Sequence, residues 1–82
     1  MKTLSDLEAL HKELHHPFTN AYEGLIMTLE NAYIKSRMSQ IEELLKEWND
    51  DAKKSIISEL SKRLRNDGIK DFGENEIWDL FK

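Results

Sequence analysis

Three histidines gather near the start of the chain, with His11 and His15 four residues apart and His16 beside them. On a helix that spacing lets two imidazoles share one metal ion. The intervening order, His11-Lys12-Glu13-Leu14-His15, does not suit the chemistry such a pair performs. Metalloprotease helices carry the general-base glutamate directly after the first histidine or directly before the second. Glu13 stands in neither place, and no cysteine or distant carboxylate cluster supplies a further ligand. Exposed or interfacial histidines, with no metal and no cofactor, are the expectation. Such histidines still make a contact pH-sensitive, because imidazole titrates near ~6.5.

The remaining chemical motifs fail on context. Asp71-Phe72-Gly73 spells the magnesium-binding triplet of kinases, but 82 residues hold no kinase fold and no glycine-rich or catalytic loop accompanies it. Asp67-Gly68, followed by Asp71, Glu74 and Glu76, misses the register of a calcium loop of the EF-hand type. Glu42-Glu43 and Asp50-Asp51 are adjacent pairs, and adjacent helix residues do not face a common point. With no serine elbow, P-loop or dinucleotide fingerprint, the chain is not expected to be an enzyme or to have a small-molecule substrate.

The elements that carry these residues read as helices. Thr3 with Asp6, and Ser5 with Glu8, are overlapping N-terminal capping signatures, followed by a Leu7, Leu10, Leu14 stripe. Pro17 requires that helix to loosen near His16. Thr19 or Asn20 caps the next element. Tyr22, Leu25, Leu29 and Ala32 then form one stripe, and from Ile34 a second runs through Met38, Ile41, Leu45 and Trp48 on a different face. Ser39 with Glu42 offers an internal start signal, but the stretch has no Gly or Pro after Gly24. One long central helix over residues 20–48, bent near Ser36, is the preferred reading, and two helices are the alternative. Ala52, Ile56, Ile57, Leu60 and Leu64 give the inner face of the following helix, with Gly68 as its left-handed stop. A short aromatic helix closes the chain from about Glu74 to Phe81. No strand-length alternation occurs. The expectation is a single all-α domain over residues 1–82, a small bundle of four to five helices.

Composition bounds the function. The net charge of −4 hides a pattern. Residues 1–34 hold two Lys against five acids, residues 35–65 eight Lys and Arg against six, and residues 66–82 two Lys against five. A weakly basic middle between acidic ends is poor ground for nucleic acid, which selects dense one-sided patches. No segment approaches the ~18 apolar residues of a membrane span, and the amphipathic, acidic N-terminus is unlike a secretory signal. A cytoplasmic protein is expected, and with no cysteine it holds no disulfide or thiolate metal site.

The two stripes imply more apolar surface than short helices mutually cover, which is how small helical proteins bind partners. A groove lined by Ile41, Leu45, Trp48, Trp78 and Phe81 is the expected acceptor of an apolar segment. Arg37, Lys46 and Lys53 flank it and would steer association. A homo-oligomer is the other form of partnership considered, with no surface assigned to it.

Read from Met1-Lys2-Thr3-Leu4, through Ser39-Gln40-Ile41-Glu42-Glu43-Leu44-Leu45-Lys46-Glu47-Trp48, to Glu76-Ile77-Trp78-Asp79-Leu80-Phe81-Lys82, the chain resembles a phage family. That family is the lysis-inhibition accessory proteins of T-even bacteriophages, the cytoplasmic antiholins of the third rapid-lysis locus. The resemblance covers all 82 residues and rests on length and overall character, so no binding residue is carried over from a motif. It implies a protein of the host-cell cytoplasm that binds the cytosolic N-terminal segment of a phage holin and delays lysis. The alternatives are a small phage or bacterial regulator of a host protein, or a helical nucleic-acid binder using Lys53, Lys54, Lys62, Arg63 and Arg65.

Overall fold

The computed structural model describes residues 1–16 and 19–82; Pro17, Phe18 and the side chains of His15 and His16 lie outside the described part. Among the described residues five helices appear in order: α1 (Leu4–Leu10), α2 (Ala21–Ile34), α3 (Met38–Leu45), α4 (Asp50–Asn66) and α5 (Glu74–Trp78). A 3-10 turn over Asp79–Phe81 continues α5. This is the all-α class that the periodicity predicts.

Each start is built from a local device. The Asp6 carboxylate accepts the Thr3 backbone N–H at 2.8 Å and sits in the first turn of α1, where the helix dipole favours negative charge. Asn20 caps α2 by accepting the Glu23 N–H at 2.8 Å, and Asn49 caps α4 by accepting the Ala52 N–H at 2.9 Å. α1 ends earlier than its leucine stripe suggests. The amides of His11, Lys12 and Glu13 reach back only three residues, to Glu8, Ala9 and Leu10, so the last turn tightens and stops. The chain then forms a two-stranded antiparallel ribbon, β1 (Leu14–His16) with β2 (Thr19–Asn20), too short to make a layer of its own. Leu14 is therefore exposed rather than part of a buried stripe. The loosening expected at Pro17 itself lies outside the described residues.

The single long helix over residues 20–48 is not what forms. α2 ends at Ile34 and α3 begins at Met38. Ser36 takes a left-handed φ of 57°, Arg37 N–H donates to Ala32 O at 2.7 Å, and Ser36 N–H donates to Tyr33 O at 3.0 Å. That pair of bonds is a Schellman stop, usually made by glycine. The change of apolar face is thus a change of helix. α4 ends the same way at Gly68, whose φ is 91°, with Ile69 N–H donating to Leu64 O at 2.9 Å.

One core unites the elements. α2 contributes Tyr22, Ile26, Leu29 and Ala32; α3 contributes Ile41 and Leu45; α4 contributes Ala52, Ile56, Ile57, Leu60 and Leu64. Leu7, Trp48 and Ile77 complete it. α2 packs on both α3 and α4, α1 braces α2 and α4, and α5 closes against α3 and α4. The N-terminus is tied down too. Lys2 N–H donates to Glu47 O at 2.8 Å, and Asn49 N–H donates to Lys2 O at 2.7 Å.

Candidate partner-binding surfaces

The expected groove is closed by the protein itself. Ile41 and Leu45 are fully buried and Trp48 is 2% exposed, so these three are core and line no open groove. The reason is the break at Ser36, which lets α3 turn its stripe onto α2 and α5 instead of projecting it outward. Trp78 and Phe81 are half-buried, packed against the core but not enclosed by it. Lys53, expected on the rim, is buried. Its ammonium lies 4.5 Å above the Phe81 ring and 3.9 Å from an Asp50 carboxylate oxygen, a cation–π seat beneath the C-terminal turn. Arg37 and Lys46 are exposed at the two ends of α3. Lys46 pairs with Glu43 at 2.9 Å, and that hydrogen bond holds its pKa above the ordinary lysine value.

Trp48 carries one unresolved polar group. Among the described residues its indole Nε1–H is buried and meets no acceptor. An orphaned donor of this kind costs about 1–3 kcal/mol. Lys2 covers one side of the indole, its ammonium 5.1 Å from the ring centroid and 2.9 Å from the Glu47 carboxylate.

The basic set considered for nucleic acid does not survive folding as one patch. Arg63 is committed internally, donating from both terminal nitrogens to Glu23 at 2.6 and 2.5 Å and from Nε to Glu59 at 3.1 Å. This fork locks α4 onto α2. It lowers the Glu23 pKa and raises that of Arg63, in each case chiefly through the hydrogen bond between them. Nearby, burial raises the pKa of Glu30, and hydrogen bonding to Asp67 adds to the shift. With Lys53 buried and Arg63 paired, only Lys54, Lys62 and Arg65 of the five cations remain in solvent without an ion pair among the described residues.

The histidine spacing loses its premise. His11 caps the end of α1 and His15 belongs to β1, so the two do not share a helix face. The His11 ring instead stacks on Tyr22, centroids 4.1 Å apart. Among the described residues no three His, Asp or Glu side chains converge as metal ligands would.

What the fold leaves open differs from what apolar periodicity picks out. Leu4, Leu14, Met27 and Ile34 are large apolar side chains in solvent. An open cleft of about 570 Å³ lies along α4, lined by Leu4 and Tyr22 together with Lys54, Ser55, Ser58 and Lys62, and by the acids Asp51 and Glu59. Sequence reasoning missed this cleft, although its signal is present. Lys54, Ser58 and Lys62 recur every four residues, out of phase with Ile56, Leu60 and Leu64.

No protein-family model matches the chain, and no curated protein or solved structure does. Among the described residues no helix is long and apolar enough to cross a membrane.

Proposed function

We propose that this protein is a cytoplasmic antiholin. It binds the cytosolic N-terminal segment of a phage holin and delays host-cell lysis, without catalysing a reaction. The reading starts from the resemblance of the whole chain to the T-even lysis-inhibition accessory proteins. The observation that carries it is apolar surface left over after a complete core has formed. Trp78 and Phe81 are only half-buried on the C-terminal segment, and Leu14, Met27 and Ile34 lie in solvent. Half-buried aromatic side chains next to a finished core are the anchors helical proteins use to take an amphipathic partner segment.

With Ile41, Leu45 and Trp48 inside, the holin segment would meet the outer side of Trp78 and Phe81, with Arg37 and Lys46 at the two ends of α3 steering its approach. The test is co-purification with the soluble holin segment, together with the timing of lysis in cells expressing holin and this protein. Retention of the segment and a delayed lysis are expected, both weakened in a folded Trp78→Ala variant. A parent protein that neither retains the segment nor shifts the lysis time overturns the reading.

A further inference from the structure

We propose that the outer face of α4 is a docking surface for an acidic amphipathic helix of a partner protein. Lys54 and Lys62 stand eight residues apart on one exposed face, a rise of roughly 12 Å along the axis, and Arg65 extends the row. None of the three has an ion-pair partner among the described residues. Carboxylates two turns apart on a second helix match that rise. Ser55 and Ser58 lie between the two lysines and line the cleft with short side chains. Short side chains at these positions favour the close interaxial distances of packed helices. Leu4, 44% exposed on the cleft wall, supplies an apolar contact for the partner's inner stripe.

The acids that face this surface decide the class of partner. Asp51 sits in the first turn of α4, where the helix dipole offsets it, and Glu59 is engaged by Arg63. Glu74 lies beside Lys62 and Arg65 at the far end. A continuous phosphate backbone would run over these carboxylates on a protein of net charge −4. Discrete carboxylates at helical spacing fall on the lysines and miss them. This favours an acidic helix over nucleic acid.

The experiment titrates isotope-labelled protein with an alanine-based helical peptide bearing a leucine stripe flanked by two glutamates two turns apart. Its glutamine counterpart and a short single-stranded oligonucleotide are titrated alongside, with amide chemical shifts read by NMR. The expected result is binding of the acidic peptide with shifts confined to Leu4 and the outer positions of α4, lost at high salt. Affinity should fall about tenfold in the Lys54→Glu, Lys62→Glu double variant, whose melting temperature should stay close to the parent's. Absence of binding, equal binding of the glutamine peptide, shifts centred elsewhere, or an unchanged double variant overturns the proposal. Tighter binding of the oligonucleotide overturns it in favour of a nucleic-acid face.

Discussion

The second stripe of the chain and the outer face of α4 make opposite use of the same helical periodicity. Met38, Ile41, Leu45 and Trp48 form a strong apolar stripe, and the fold spends nearly all of it on its own interior. Lys54, Ser55, Ser58 and Lys62 bury little, and they remain accessible along an open cleft. In a chain of 82 residues the core needs almost every large apolar side chain, because a small domain buries only about 60–65% of its unfolded surface. A strong apolar stripe is therefore better evidence of core than of interface here.

The contrast breaks most sharply at Trp48. Trp48→Ala removes a side chain that is 2% exposed, and a loss of about 3–5 kcal/mol is expected. Release of the unsatisfied indole donor offsets only part of it. Urea denaturation followed by circular dichroism reads the change, and a variant as stable as the parent would place Trp48 on the surface. A smaller effect is expected at the α2–α4 clamp. Arg63→Ala should cost about 1 kcal/mol, since the bidentate pair with Glu23 is partly buried. The Glu23 pKa is lowered in the folded state, so its stabilisation is present above the ordinary carboxylate range. It is lost as pH falls through the depressed value. The Arg63→Ala variant should therefore show a shallower acid limb in stability against pH, and an unchanged limb would remove the clamp from the account.

Legibility in the sequence followed local signals. Asn49-Asp50-Asp51 at the start of α4, its inner face, and Gly68 at its end were all readable, because each is a short-range preference that the tertiary structure obeys. The stop at Ser36 uses the same geometry as Gly68 with a residue that does not advertise it, so the sequence favours one long helix where two form. The pair makes a matched test. Gly68→Ala meets nothing within 4 Å, so its expected cost of about 1 kcal/mol is backbone strain alone. Ser36→Gly should gain slightly less than that by relieving the same strain. Thermal melts of both variants check the signs, and a Ser36→Gly variant less stable than the parent contradicts this view of the break. The candidate groove was legible only in part. Trp78 and Phe81 keep accessible surface, but periodicity could not tell whether the protein itself would cover the α3 stripe, since that depends on the turn at Ser36. The burial of Lys53 under Phe81 was invisible for a similar reason, being a contact between residues far apart in the chain.

The smallest effect is expected on the open face. Lys54→Glu with Lys62→Glu should change stability by less than about 0.5 kcal/mol, because both side chains are exposed and unpaired among the described residues. A large loss in chemical denaturation would mean that this face has a structural task.

Hydrogen exchange at the two indole Nε1–H groups tests the division between core and surface most directly, in the unaltered protein. The Trp48 indole should exchange only through global unfolding, at a rate that tracks the most protected amides of α4, while the half-buried Trp78 indole exchanges much faster. Fast exchange at Trp48, matching Trp78, would show that the α3 stripe is an open groove and would contradict the account.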